Sequence, residues 1–246
     1  YGNELKEYLP EKIRQENRFM GFEEAIQEAH FPKNLDTAEK AKQRLAFDEL
    51  FLLQLQNVLS RKELEKYYAP AISFQKELIS HYVRSLPFEL TGDQKKVSWR
   101  ILQDIEKTRP MNRLIQGDVG SGKTVVASLA ILSCVAANKQ AVCMAPTEIL
   151  VKQHYVTFSR LLPTLRIAIL TGSFANATHS EFPTEISFAK KRTWILERLA
   201  TGEIDVLLST HAVLEDRVQF FDLALIVVDE QHRFGVKQRQ ELLTKS

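Results

Sequence analysis

The stretch from 117 to 124, GDVGSGKT, constrains this chain more than any other feature. It fits the phosphate-binding pattern G-x-x-x-x-G-K-[ST], and it lies between the apolar pair Leu114-Ile115 and a longer apolar run, 125–135. We predict a strand before the loop and a helix after it. Glycines let backbone N–H groups face phosphate oxygens, and a helix N-terminus adds a positive dipole end there. The sequence therefore predicts a nucleotide-binding P-loop, and the alternative is a glycine-rich turn that only links strand to helix.

The positions of this loop have distinct predicted roles. Lys123 is a point charge for the β- and γ-phosphates, and Thr124 offers a hydroxyl to Mg²⁺. The predicted nucleotide-binding residues of the loop are Gly117, Asp118, Val119, Gly120, Ser121, Gly122, Lys123 and Thr124.

From Leu86 onward, short apolar runs alternate with helical patterns. The runs that predict strands are 141–145, 166–170, 204–208 and 223–228. Continuous apolar strands separated by helices are typical of an α/β fold with a parallel sheet covered on both faces. Right-handed crossovers place the carboxyl ends of such strands at one edge, where open α/β sheets bind ligands.

Asp229 and Glu230 follow the last of these strands. A carboxylate at that position, here Asp229, can hold Mg²⁺ through water, because Mg²⁺ keeps several of its waters. Glu230 can orient and deprotonate the attacking water, while the metal and Lys123 stabilise charge on the transferred phosphoryl group. Taken alone, an Asp-Glu pair at a strand end also fits a solvated turn.

Before Leu86 the chain predicts helices. A short helix near 21–26 ends before Phe31-Pro32, a long one runs from about 37 to 59 with Asp36 at its start, and a third covers about 72–85. The long helix fits either the core of a small helical domain or an arm held between two domains. We expect domains at 1–85 and 86–246.

Charge and cysteine usage set weaker limits. Lysine and arginine number 33 against 31 acidic residues, and the part from Leu86 on is mildly basic, which permits a nucleic-acid partner without arguing for one. Cys134 and Cys143 lie in apolar stretches without metal-ligand spacing, so we expect buried, reduced thiols and a reducing, cytoplasmic compartment. No apolar run approaches the ~20 residues that span a bilayer. The first residue is not Met, and we expect a piece of a longer protein.

Asp229-Glu230-Gln231-His232 resembles motif II of the superfamily 2 helicases, and its continuation to Arg239 resembles the RecG branch. Other segments match that branch in order: 117–124, 145–150 with Gln153-His154, 170–173, and 210–212. The segment 44–51 resembles the helical connector between the RecG wedge domain and its motor, which favours RecG over the transcription-repair coupling factor and PriA.

The resemblance implies a RecA-like P-loop NTPase lobe at 86–246, preceded by the connector and the end of the wedge region. It implies an ATP-dependent DNA helicase of recombination and repair that remodels stalled forks and Holliday junctions, with ATP and Mg²⁺ as cofactors. The implied partners are branched DNA and, in the same full-length chain, a wedge domain and a second motor lobe with an arginine finger; no membrane is implied. By itself this chain would then hold half of an ATPase site.

The resemblance also assigns roles to single residues. His232 would couple the ATP site to movement. The residues that would lie near the DNA backbone are Pro146, Thr147, Gly172, Ser209 and Thr210. Thr147 fits a helix N-cap equally well.

Phe88 and Gln94 resemble the adenine-recognition segment of the family, in which an aromatic ring packs on the base and a glutamine reads its edge. A Gln side chain matches the N6 donor and N7 acceptor of adenine but not the two acceptors of guanine. Thr91 and Gln94 also form a Thr-x-x-Gln capping box, which would explain the glutamine without a nucleotide.

Between Ser173 and Trp194 the chain departs from the family pattern, with Phe174, Phe182 and Phe188 before a basic triplet at 190–192. This insertion fits either a solvated loop or an added DNA contact. Three function classes stay open at this point: a RecG-like motor lobe, a translocase of another branch, and a nucleotide-binding switch without a DNA role.

Overall fold

The structure is a computed structural model that describes residues 5–64, 66–210 and 218–230. The chain forms two compact units, Tyr1–Tyr67 and Tyr68–Ser246, called here the helical unit and the sheet unit. Among the described residues, no helix has the length and apolar character needed to cross a membrane.

The described residues of the helical unit form three helices, and the second packs along the third. They are α1 (Glu11–Asn17), α2 (Phe22–His30) and α3 (Leu35–Leu64). Helix α3 begins earlier than the sequence predicts because Asn34, not Asp36, caps it: the Asn34 Oδ1 accepts from the Thr37 N–H at 2.9 Å. Asp36 instead pairs with Lys40 one turn along the helix.

A fully buried arginine, Arg44, holds the helical unit together. Its Nη2 donates to Glu7 Oε1 at 2.8 Å, its Nε donates to the Met20 carbonyl at 3.3 Å, and it forms an ion pair with Asp48. Its guanidinium carbon lies 5.7 to 6.0 Å from three aromatic ring centres, those of Tyr8, Phe19 and Phe22. This one side chain therefore connects the N-terminal segment, the approach to α2, and α3.

The sheet unit contains five helices and five strands among its described residues. The helices are α4 (Lys76–Ser85), α5 (Gly92–Ile105), α6 (Lys123–Ala136), α7 (Glu148–Leu161) and α8 (Phe188–Ala200). The strands are β1 (Gln140–Ala145), β2 (Ile167–Leu170), β3 (Ala175–Ala177), β4 (Val206–Thr210) and β5 (Leu223–Val228). They form one sheet in the order β3-β2-β4-β1-β5.

Strands β1, β2, β4 and β5 are parallel, as the alternating pattern predicts. Their side chains are buried on both sides: Val142 and Met144 join one core cluster, whereas Ala141 and Cys143 join the other. This alternation with a period of two requires cover on both faces. The predicted α/β sheet is confirmed.

Strand β3 is an addition that the sequence did not predict. It lies in the segment between Ser173 and Trp194 and pairs antiparallel with β2, Ile169 opposite Asn176. Its three residues, Ala-Asn-Ala, are too few and too weakly apolar to carry a strand pattern.

The predicted strand before the P-loop is not formed. Residues 112–118 have no strand assignment, and Leu114 is 63% exposed. A strand requires a hydrogen-bonded neighbour, and no described strand pairs with this segment. The apolar pair Leu114-Ile115 is too short to distinguish a strand from a loop.

Helix α4 packs within the sheet unit. Tyr82 Oη lies 2.7 Å from Ser128 Oγ on α6, and Gln75 Nε2 donates to the Ala136 carbonyl at 3.1 Å. The compact units therefore divide between Tyr67 and Tyr68, ahead of the change in sequence pattern at 85/86. The boundary at 85/86 marks where the strand pattern begins in the sequence. The boundary of the compact unit depends instead on which side chains are buried together.

The two cysteines are free and buried, as predicted. Burial raises the pKa of both thiols to about 12, because the apolar surroundings disfavour the thiolate. Neither thiol is therefore reactive near neutral pH.

Candidate functional site

The P-loop leads directly into α6, which begins at Lys123. Gly120 and Gly122 have φ angles of 80° and 82°, which only glycine adopts without strain. A Cβ at Gly117 would come within 2.7 Å of Ser121 Oγ. The backbone turn thus requires glycine at 120 and 122, whereas a side chain at 117 would have to displace the Ser121 hydroxyl.

The Lys123 ammonium bends back over this loop. Its Nζ donates to the carbonyl oxygens of Gly117 at 2.7 Å and of Asp118 at 2.8 Å. Both acceptors are neutral, so an anion that reached the loop would bind the ammonium more strongly than they do. The positive charge therefore lies where the sequence predicts a phosphate.

Gln94 connects α5 to the P-loop. The predicted capping box is confirmed: the Thr91 N–H donates to Gln94 Oε1 at 2.8 Å, and the Gln94 N–H donates to Thr91 Oγ1 at 3.2 Å. The Gln94 Nε2 also donates to the Ser121 carbonyl at 2.8 Å, a contact that the sequence did not indicate. One N–H and one lone pair of the amide remain for another partner.

Phe88, the predicted adenine platform, lies ahead of α5 and is 48% exposed. A ring with this exposure is available for stacking, and adenine recognition by Phe88 and Gln94 stays a prediction.

Parallel pairing places the ends of β1, β2, β4 and β5 at one edge of the sheet. Helix α6 has 14 residues, a length of about 21 Å, and returns through a short turn to β1, whose six residues span about 20 Å. The start of α6 therefore lies level with the end of β1. Because α6 also packs against β5, the P-loop and Asp229 lie at the same edge.

Asp229 is held at three points where β5 ends. Its N–H donates to the Met144 carbonyl at 2.8 Å, and its Oδ1 accepts from the Glu230 N–H at 3.0 Å. Its Oδ2 lies 2.7 Å from His154 Nε2, on α7. The backbone of Glu230 has a φ angle of 57°, in the left-handed region. Two lone pairs of the Asp229 carboxylate remain available, which fits a residue that holds Mg²⁺ through its waters.

His154 is a site residue that sequence reasoning missed. It lies in a segment that resembles the family, but its spacing from Asp229 in the chain gives no sign of contact. Only the packing of α7 against β1 and β4 brings the ring to the end of β5.

The start of α7 is fixed by two contacts. Thr147 is the N-cap, and its Oγ1 accepts from the Leu150 N–H at 3.3 Å. Glu148 accepts from Ser173 through Oγ at 2.6 Å and through the backbone N–H at 3.1 Å. The hydrogen bond from Ser173 is the main cause that lowers the pKa of Glu148. The N-cap role of Thr147 is therefore confirmed, and Glu148 is a second residue that the sequence did not single out.

The other predicted DNA-backbone residues differ in accessibility. Gly172 is exposed, whereas Pro146 and Thr210 are partly buried. Ser209 is fully buried, and its hydroxyl donates to the Leu170 carbonyl at 2.7 Å. Because that side chain bonds within the sheet, it presents no surface to a nucleic acid.

The insertion folds onto α8. Phe182 is buried against Trp194, with ring centres 5.2 Å apart, and the Arg198 guanidinium lies 3.9 Å from the Trp194 ring centre. These aromatic groups therefore pack inside the protein instead of standing free for stacking with bases. Gln231, His232, His211 and Ala212 lie outside the described residues.

The sequence matches the DEAD/DEAH box helicase family over residues 91–246. It is 43% identical to the ATP-dependent DNA helicase RecG of Thermotoga maritima over 98% of this chain and 30% of that protein. RecG of Synechocystis sp. is also 43% identical, over 98% of this chain and 28% of that protein. The chain thus spans less than a third of the length of these relatives.

A solved structure of RecG bound to a three-way DNA junction superimposes on the chain with a TM-score of 0.79. The two sequences are 41% identical, and the match covers 94% of this chain and 30% of the other. These similarities confirm the resemblance to RecG that the motifs indicate.

Proposed function

Because the chain belongs to the DEAD/DEAH box helicase family, we propose that it is the ATP-binding lobe of a RecG-like enzyme that remodels branched DNA. The observation that supports this best is the extent of the RecG likeness, which covers the helical unit as well as the sheet unit. A nucleotide switch or a general translocase lobe would need only the sheet unit. The proposal places the protein in the cytoplasm, where reduced thiols persist.

In this proposal the P-loop binds the phosphates of ATP. The Lys123 ammonium leaves the carbonyls of Gly117 and Asp118 and moves to the β- and γ-phosphates. Thr124 and Asp229 are the residues that would hold Mg²⁺, which when bound neutralises charge on the phosphate oxygens. Glu230 orients the attacking water and accepts its proton.

The base of the nucleotide would lie between Phe88 and Gln94. The free N–H and lone pair of the Gln94 amide match the adenine edge, while its other two contacts keep it fixed to α5 and to the P-loop. Adenine binding and helix capping are therefore compatible in one side chain.

DNA would follow the strand-end edge beside the nucleotide. Thr147 and Gly172 are exposed there, with Pro146 and Thr210 next to them. Such groups bind the phosphate backbone and do not read sequence. Ser209 has no part in this contact because it is buried.

The remaining parts of the site would come from the longer protein. A second motor lobe would supply an arginine finger, which contributes about 10³ to 10⁵ in rate in nucleotide hydrolases. The region ahead of the motor, 1–85 in the sequence pattern, would connect it to a wedge domain. On its own this chain would bind nucleotide weakly and hydrolyse it very slowly.

The test uses the full-length protein with Lys123→Ala and Glu230→Gln. Loss of phosphoryl charge stabilisation lowers ATP turnover roughly a hundredfold or more in the first variant. The second variant still binds ATP but does not turn it over. Lys96→Ala, an exposed lysine on α5, is the matched control and keeps the wild-type rate. Wild-type turnover in either site variant would contradict the proposal.

A further inference from the structure

Helix α7 contacts both sides of the candidate site. Its first residue, Glu148, binds the hydroxyl and N–H of Ser173, next to the predicted DNA-backbone residue Gly172. Six residues along the same helix, His154 Nε2 lies 2.7 Å from Asp229 Oδ2 at the end of β5. Because a helix rises about 1.5 Å per residue, these two contacts are about 9 Å apart along its axis.

The helix between these contacts is firmly packed. Val151 and Phe158 are almost completely buried, and α7 lies against β1, β2 and β4. The His154 side chain is only 19% exposed, and its ring lies beside Phe158 with centres 6.1 Å apart. The imidazole therefore has a fixed direction, and a displacement of the α7 start is carried along a rigid element.

The hydrogen bond defines the plane of the Asp229 carboxylate. An ionised carboxylate only accepts hydrogen bonds, so the His154 ring donates from Nε2. The Glu230 N–H holds the other oxygen at 3.0 Å. With one donor on each oxygen, rotation of the carboxylate is blocked, and its remaining lone pairs keep one direction. Residues that orient a metal-binding carboxylate in this way commonly affect metal affinity.

We propose that His154 is a positioning residue for Asp229 and that α7 couples the Ser173 contact at the DNA edge to the Mg²⁺–nucleotide site. The inference rests on the proposed function, because it needs Asp229 to face the metal and the strand-end edge to face DNA. It assigns His154 and Glu148 one joint role, which neither contact would indicate alone.

The first experiment measures nucleotide binding without turnover. Full-length wild type, His154→Ala and His154→Gln bind a fluorescent ATP analogue at increasing Mg²⁺ concentrations, without DNA. We expect His154→Ala to raise the Mg²⁺ concentration for half-maximal binding by about 10- to 100-fold. His154→Gln retains a donor at Nε2 and recovers most of the affinity. The control Thr157→Ala, an exposed residue on the same helix, matches wild type.

A wild-type Mg²⁺ dependence in both His154 variants would overturn the positioning role. Equal loss in His154→Ala and His154→Gln would overturn it as well, because the hydrogen bond would then not be the cause. Thermal melting of each variant identifies a general loss of folding, and the Gln variant keeps the test valid if the Ala variant does not fold.

The second experiment measures coupling. The ratio of ATP turnover with and without a forked duplex is determined for wild type, Glu148→Ala, His154→Gln, His154→Ala, and the Glu148→Ala/His154→Ala double variant. If α7 couples the two contacts, the stimulation of ATP turnover by DNA falls several-fold in Glu148→Ala. The fold-loss of stimulation in the double variant is then smaller than the product of the fold-losses in the two single variants. Independent, multiplicative losses would overturn the coupling.

These outcomes are distinguishable from failure of the proposed function. A wild-type enzyme that DNA does not stimulate would contradict the proposed DNA role and with it the coupling through α7. The Mg²⁺ titration would still decide whether His154 positions Asp229.

Discussion

Arg44 in the helical unit and Lys123 in the sheet unit are both cations with several hydrogen-bond acceptors, but their partners differ. Arg44 is 0% exposed and forms ion pairs with two carboxylates, Glu7 and Asp48. Lys123 is accessible, and within the described part of the chain it bonds only to two neutral carbonyls of its own loop. A buried cation with charged partners is fixed in the structure, whereas an accessible cation held by neutral acceptors can exchange them for an anion. The comparison separates charges that stabilise the fold from charges that bind a ligand.

We expect the largest loss of folding stability when Arg44 is replaced. Arg44→Met leaves the Glu7 and Asp48 carboxylates without their buried partner, and we expect a loss of about 3 to 5 kcal/mol in the free energy of unfolding. Urea unfolding combined with hydrogen exchange in the helical unit measures it. Lys12→Ala, an exposed cation on α1, should change stability by less than about 0.5 kcal/mol. If Arg44→Met changed the free energy of unfolding as little as Lys12→Ala does, the distinction between stabilising and ligand-binding cations would not hold.

Gln140 tests whether a buried neutral side chain with fixed partners also stabilises the fold of the sheet unit without affecting the ligand site. Its Nε2 donates to the carbonyls of Leu199 and Ile204, and its Oε1 accepts from the N–H groups of Phe221 and Asp222. In Gln140→Leu the Leu199 carbonyl and the Phe221 N–H still bond to each other. The Ile204 carbonyl and the Asp222 N–H lose the amide as a partner, so we expect a loss of about 3 kcal/mol. Because the residue lies at the opposite end of β1 from the P-loop, nucleotide affinity of the folded variant should be unchanged. A loss of affinity without a loss of stability would contradict this prediction.

Gln94 lies between the two extremes because its amide makes two hydrogen bonds, keeps one N–H and one lone pair for a ligand, and is only partly buried. Gln94→Ala removes the capping contact and should cost about 1 kcal/mol of stability. If Gln94 also reads adenine, the variant loses much more affinity for ATP than for GTP, and the preference between them narrows. Competition binding of the two nucleotides, read beside a thermal melt, measures both effects. An unchanged preference would leave capping and the tether to Ser121 as its only roles.

Sequence patterns were most informative where a local rule determines the structure. The P-loop glycines, the Thr91 capping box and the strands β1, β2, β4 and β5 follow from such rules, and the sequence placed them within a few residues. The strand predicted at Leu114-Ile115 failed because a strand also needs a partner, which lies elsewhere in the chain. For the same reason β3 was not foreseen: its pairing with β2 depends on how the insertion folds.

No local sequence pattern predicted the long-range contacts between polar residues. The contacts of His154 with Asp229 and of Glu148 with Ser173 join residues that are far apart in the chain. They depend on how α7 packs against the sheet. The sequence predicts that a helix covers the sheet but not which of its side chains meet residues of the strands and loops. Ser209 illustrates the opposite case, because the family resemblance assigned it to the DNA backbone while its hydroxyl bonds within the sheet.

We propose that this chain is the ATP-binding lobe of an enzyme that acts on branched DNA, and ATP turnover tests this proposal. The most direct measurement is the ATP turnover of the full-length protein with forked, duplex and single-stranded DNA of equal length and equal concentration. We expect the highest turnover with forked DNA and only slow turnover without DNA. Turnover that is the same with all three substrates and without DNA would contradict it.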